Sequence, residues 1–540
     1  MNVFVTGLPF RPLHEKGQAY KNVRDRTMKH LKISSIALLA LLAACAPHTD
    51  TAAPSSDTVS PSANYSSFDQ QKQAQIVINQ AIEAAGGLDA LNNLASGKTT
   101  FSVRAARIGQ ATTPEANGDL GNPTKTLAQR ANGLVAIDRF NGDNLGSRYV
   151  HGGLNDWIFF VGQNSVADVE PILAGGIINQ AHTSAHILMD MSTSSENARY
   201  VGTSTSGGKT LEAVSFVNGL GQMQTAFFDK NTKLLDSVQS LAAHAQWGDI
   251  AISRNYSDYK AINGAQVAHS VTTKQADITA SVVTLESFEA ATIEDAIFEK
   301  PEDATVNDPF TASTPTPRDL TVEELGGGLY YIANAAQGYN VVFADHDDGI
   351  LVIETPQSIQ TSRDVIRTIK TKFPGKTIKA AVPTHHHFDH SGGIYGYHEA
   401  GIPILTTPGN VDFSTKVATA PRNIGTSKGA ISSPIVNSFD GRITLGSGAA
   451  TVELINVGPN PHADEIVIAY MPEIKSVFVA DIFSKRSNPL PPANANQLAF
   501  AEELEKLNLD IETFIPVHGE NATAEEFWDR VKRGRDAAAE

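Results

Sequence analysis

Residues 383–393 read PTHHHFDHSGG, so four histidines and an aspartate fall within six consecutive positions. Imidazoles crowded this closely repel when protonated and gain little packing when neutral. Such a cluster is costly unless it binds something. In a strand-like stretch alternate side chains share a side, so His385, His387 and Asp389 converge while His386 and Phe388 turn away. His390 joins them if the chain bends after Asp389, and Gly392-Gly393 permit a tight turn there. Three imidazoles and a carboxylate are borderline-to-hard ligands that suit zinc and are compatible with iron or manganese.

The elements around this cluster alternate in type. The segment KTIKAAVPT (376–384) is an apolar strand running straight into the histidines, and SIQTSRDVIRTIKTKF (358–373) is an amphipathic helix. GLYYIANAAQGYNVVFADHDDGILVIET (328–355) predicts three strands, with Asp348-Gly349 turning between the last two. The cluster therefore sits at a strand's C-terminal end, where loops build active sites. Upstream, KPEDATVNDPFTASTPTPRD (300–319) has the composition of a linker. Between Lys98 and Ile293 short alternating runs such as TTFSVRAARI, GLVAIDRF and DWIFFVGQ are separated by Gly, Asn and Asp turns, which predicts an antiparallel sheet. Two short helices interrupted at Gly86-Gly87 precede it. YSDYKAINGAQVAHSV (256–271) resembles a strand-turn-strand of lipoprotein-carrier-like sheets. His151, His182, His186, His244 and His269 are scattered through this region, and isolated histidines read as surface or core residues. No chemistry is assigned to it.

HxHxDH after a strand resembles the metallo-β-lactamase superfamily. Members require, in order, a later histidine, an aspartate at a strand end and a final histidine. NVGPNPHADEIVIAYMPE supplies His462, SVFVADIFS supplies Asp481 and TFIPVHGE supplies His518. The resemblance covers about 320–540. It implies that His385, His387 and His462 hold a first metal, that Asp389, His390 and His518 hold a second, and that Asp481 bridges both. Two divalent ions close together need a carboxylate between them, and metal binding lowers the pKa of water from 15.7 to about 7. The implied function is a dinuclear zinc hydrolase attacking an ester, lactone, thioester or β-lactam bond of a small molecule with a metal-bridging hydroxide. Asp389 is then ligand and orienter of the hydroxide. With Asp481 present and no cysteine available, the site is similar to glyoxalase II and the acyl-homoserine lactonases. An iron-dependent oxygenase of the same fold, resembling persulfide dioxygenases, and an envelope lipid-binding lipoprotein are the alternatives. Asp464 and Glu354 are candidates to orient the ligands, and equally turn or cap residues.

The fold class expected is α+β. An αββα sandwich at 320–540 is preceded by the linker at 300–319 and by a mainly antiparallel β domain with N-terminal helices at 68–299. A formal charge of −16 over 540 residues excludes a broad nucleic-acid face. The single cysteine, Cys45, excludes an intramolecular disulfide. It closes a basic start and a short apolar run (Met28–Leu42) in the sequence LAAC, which resembles a bacterial lipobox. The segment 1–45 therefore reads as an extension plus signal, with translation starting at Met28, and 46–67 as a flexible tether. The expectation is an exported lipoprotein of the bacterial cell envelope, on the periplasmic or outer-membrane side, anchored by an acylated Cys45.

Overall fold

The computed structural model describes residues 60–61 and 67–539, apart from 116–117, 153–155, 170–176, 179–180, 220, 308–316, 337, 425–426, 428 and 488. The signal and lipobox segment lies outside the described residues, as do most of the tether and the middle of the linker. Within the stretch read as a tether, Ser60–Pro61 pair with the strand Arg199–Ser206. No described helix is long and apolar enough to cross a membrane.

Among the described residues the N-terminal part is one sheet of antiparallel neighbours, broken only by a short parallel pairing of Thr305–Val306 at its edge. Its strand Gly97–Ala105 pairs with Ile278–Glu289 on one side and Thr124–Ala131 on the other, which joins the first strands of the region to its last. The helices Ser67–Ala84 and Ser184–Thr193 bury Ala74, Val77, Ile78, Ile187 and Leu188 with Phe101, Phe216, Phe228 and Tyr256 of the sheet. The alternating pattern of TTFSVRAARI continues to Ile108, but the strand stops at Ala105. Residues 107–115 leave the sheet because their main chain has partners elsewhere, described below.

The C-terminal part stacks two sheets. The first runs in order Glu323–Gly326, Leu329–Ala336, Tyr339–His346, Gly349–Ile353, Ile378–Val382, Ile404–Thr406 and Val436–Ser438. The second runs Arg442–Leu445, Val452–Asn456, Val467–Met471, Ser476–Val479, Thr513–Pro516 and Ala522–Thr523. Strand periodicity sorts their side chains. Val342, Ala344, Leu351 and Ile353 face Leu454, Ala469, Phe478 and Ile515 in the inner core. Their neighbours Val341, Phe343 and Val352 pack outward against the helix Ile359–Lys372, and Val477, Val479 and Phe514 pack outward against Ala495–Leu507 and Ala524–Ala539. The result is the αββα sandwich expected for the α+β class.

One outer helix, Ile394–Glu399, buries His398, whose Nε2 has no hydrogen-bond partner. Burial pushes this imidazole from its ordinary 6.5 down to about 4, so the folded chain keeps it neutral. A folded pKa below the unfolded one means that protons favour the unfolded state. The contribution is complete above about pH 6.5 and is lost as pH falls toward about 4. His398→Gln is expected to flatten the stability–pH curve between pH 7.5 and pH 5 by about 2 kcal/mol. Urea unfolding at pH 7.5 and pH 5 checks it, and parallel curves for the two proteins would refute it.

Candidate metal centre

The strand Ile378–Val382 delivers the histidine segment to the edge of the sandwich. The segment is not strand-like beyond that point. A short helical turn, Phe388–Ser391, begins directly after His387, so the chain bends before Asp389 rather than after it. Alternation therefore accounts for His385 and His387, whereas the turn carries Asp389 and His390 together toward another spot. Gly392 and Gly393 serve close approach rather than an unusual φ: a Cβ at Gly392 would lie 2.2 Å from the Gln357 carbonyl oxygen. The turn is thereby seated on the loop after the strand Gly349–Ile353.

Strand ends bring the remaining residues. Val479 pairs in parallel with Pro516, so Asp481 and His518 emerge side by side. His462 lies in the connection between Val452–Asn456 and Val467–Met471. Two groups result, one of His385, His387, His462 and Asp481 and one of Asp389, His390, Asp481 and His518, with the ligand atoms of each within 4.8 Å of one another. Asp481 belongs to both. Its Oδ1 is 3.1 Å from His390 Nε2 and 3.0 Å from His518 Nε2, and its Oδ2 is 3.2 Å from His462 Nε2. All seven residues singled out in the sequence are thus brought together. His386 joins neither group.

In the metal-free chain some of these imidazoles are neutral and one is paired with carboxylates. Burial, together with the neighbouring imidazoles, holds His385 well below its ordinary value and His387 down to about 3, leaving both neutral with free lone pairs. Burial opposes the charge of Asp481, yet His390 and the surrounding imidazoles outweigh it and hold the carboxyl low. Burial likewise opposes protonation of His390, and the carboxylates of Asp481 and Glu354 outweigh it and hold its pKa high. His387 Nδ1 is buried without a hydrogen-bond partner, and His390 Nε2 and Asp481 Oδ1, also buried, face only other members of the cluster, 3.1 Å from each other. Buried polar atoms normally find a hydrogen-bond partner. Two carboxylates and five imidazoles converging around these atoms fit divalent cations.

Each ring is set by its other nitrogen. His518 Nδ1–H donates to the Gly338 carbonyl at 2.9 Å and His387 Nε2–H to the Ala111 carbonyl at 2.9 Å, leaving Nε2 and Nδ1 respectively for a metal. His390 Nδ1–H donates to Glu354 Oε2 at 3.0 Å. Glu354, fully buried, also accepts from Thr384 Oγ1 at 2.8 Å and from the Thr355 N–H at 2.8 Å, and it holds a left-handed φ of 93°. It is the orienting carboxylate. The other candidate, Asp464, is exposed and contributes its backbone N–H, to Thr112 O at 2.8 Å.

Three contributors were missed by sequence reasoning. Tyr339 donates its hydroxyl to Asp389 Oδ2 at 2.8 Å, and Gln110 donates its Nε2 to Asp389 Oδ1 at 2.6 Å. Ala111 O accepts from His387 and also from His386, at 2.9 Å each. Two of the three belong to the N-terminal part, to which no chemistry had been assigned. Tyr339 was visible only as the first residue of a strand, and RIGQATTPEA offers no recognisable motif. The same two parts meet again at Arg422, which donates to the His244 and Ala245 carbonyls at 3.0 and 2.6 Å, and at Gln246, which donates to the His386 carbonyl at 3.0 Å. Gly248 makes the approach feasible: a Cβ there would lie 2.1 Å from Pro421 O. Phe413, edge-on to His386, lines a cavity of about 260 Å³ with Pro114, Glu115, Trp247 and Lys416.

Residues 336–518 match the family model of the metallo-beta-lactamase superfamily. Among solved structures, the chain is similar to a metallo-beta-lactamase from Pontibacter korlensis, at 19% identity over 40% of this chain and 100% of that one, with a TM-score of 0.32. It is similar to the DIM-1 metallo-beta-lactamase at 16% identity, over 41% and 99% of the two chains, with a TM-score of 0.32. TMB-1 gives 16%, 41% and 99%, with a TM-score of 0.31. No curated protein matches.

Proposed function

We propose, from the match of residues 336–518 to the metallo-beta-lactamase superfamily model, that this protein is a dinuclear metal-dependent hydrolase of an ester, lactone, thioester or β-lactam. The observation that carries the reading is the pair of ligand groups sharing Asp481. His385, His387 and His462 would hold one ion and Asp389, His390 and His518 the other, with Asp481 between them. Divalent ions in such a pair supply Lewis acidity toward an acyl oxygen and a nucleophile at neutral pH. The chain's own residues do the positioning. Glu354 fixes the His390 ring, Ala111 O and Gly338 O fix the tautomers of His387 and His518, and Tyr339 holds Asp389. Asp481 and His462 each keep about 17% of their side-chain surface exposed, so the centre is reachable from solvent.

Protein purified without added metal is expected to contain two divalent ions per chain and to turn over at least one member of a chromogenic ester, lactone, thioester and β-lactam panel. A chelator should abolish that turnover and zinc or manganese should restore it. One iron per chain with oxygen consumption would overturn the hydrolase reading in favour of the oxygenase.

A further inference from the structure

Residues 107–115 depart from the N-terminal sheet and run along the metal-centre segments of the C-terminal sandwich. Three carbonyls of this loop accept hydrogen bonds from them: Gly109 O from Phe388 N at 3.3 Å, Ala111 O from His386 and His387 at 2.9 Å, and Thr112 O from Asp464 N at 2.8 Å. One side chain, Gln110, reaches a ligand itself, the 2.6 Å bond to Asp389 Oδ1. Asp389 is then held at both oxygens, by Gln110 from one part of the chain and Tyr339 from the other. A carboxylate fixed at both oxygens has a defined plane and a defined direction for its remaining lone pairs.

We propose that Gln110 is a positioning residue of the metal centre, supplied by the N-terminal part across 279 residues of sequence. Through it the N-terminal β-rich region completes the subsite formed by Asp389, His390, Asp481 and His518. This rests on the dinuclear reading above. Partners of metal ligands commonly govern affinity by about 10- to 100-fold. Here the effect falls on one ion, because Gln110 touches one ligand and that ligand belongs to one group. The other group is an internal control.

The test is a Zn²⁺ titration of the full chain against a competing chromophoric chelator, comparing the natural protein with Gln110→Ala and with Gln110→Met, which keeps the length and removes the donor. Gln110 is part-buried, so urea unfolding of the metal-free variants first shows that each is folded under the titration conditions. Both variants are expected to bind one ion with unchanged affinity and the other about 10- to 100-fold more weakly. Two ions bound as tightly as in the parent would overturn the proposal, and so would equal weakening of both. A parent chain that binds no zinc at all would instead overturn the metal centre itself, which the titration reveals before any variant is made.

Discussion

Asp481→Ala is expected to leave at most one divalent ion per chain and to slow turnover by roughly 10³-fold, the equivalent of about 4 kcal/mol in barrier. Removing this side chain takes a ligand from both groups at once. It also leaves His390, His462 and His518 without the carboxylate that lies 3.0–3.2 Å from each. Three imidazoles facing two ions have no charge between them to offset the repulsion. His386→Ala is the comparison, since His386 lies between the ligands His385 and His387 and is buried like them, yet its ring donates to Ala111 O and packs on Phe413. That variant should lose about 1–3 kcal/mol of stability while keeping two ions. Metal analysis of both purified proteins decides it. Equal metal loss in the two would show that the assignment of ligands within the histidine segment is wrong.

Glu354→Ala is expected to cost about 3–5 kcal/mol of folding free energy, measured by urea unfolding of metal-free protein. Glu354 is the buried acceptor for His390, Thr384 and Thr355, and its loss strands three donors where water does not reach. A second substitution separates the side chain from the backbone. The φ of 93° costs a residue with a Cβ about 1–3 kcal/mol. Glu354→Gly loses the same carboxylate but relieves that strain, so it should be more stable than Glu354→Ala by about 1 kcal/mol, the reverse of the usual order. An alanine variant as stable as the parent would mean that Glu354 does not carry these donors. A glycine variant less stable than alanine would mean that the backbone there is not strained.

Much of the sandwich was legible because its physics is local. An apolar strand announces itself by composition, and HxHxDH concentrates ligands within reach of one another. His462, Asp481 and His518 are far from that cluster in sequence, and only the order of the family's motifs linked them to it. The bend before Asp389 was not legible, since it depends on the turn Phe388–Ser391 seating against the Gln357 carbonyl. Tyr339 was unreadable for a similar reason: a tyrosine at the start of a strand has the same appearance whether it packs or holds a ligand. Asp464 and Glu354 shared one description in the sequence, and burial separated them. The helix Ala495–Leu507 begins within the Pro/Asn-rich stretch RSNPLPPANANQ (486–497), because Asn494 and Gln497 cap it reciprocally.

The loop carbonyls at 109, 111 and 112, and those at 244 and 245 that receive Arg422, have a consequence for how this chain can diverge. Every residue type, proline included, carries a carbonyl oxygen. Substitutions along these stretches therefore leave most of the contact between the two parts intact, provided the path of the main chain is kept. Gly109, with a φ of 69°, and Gln110, with its amide, are the positions where residue type is constrained. Descendants of this protein can thus rewrite nearly the whole loop, to the point where no comparison of side chains would align it, and still present the same oxygens to the histidines.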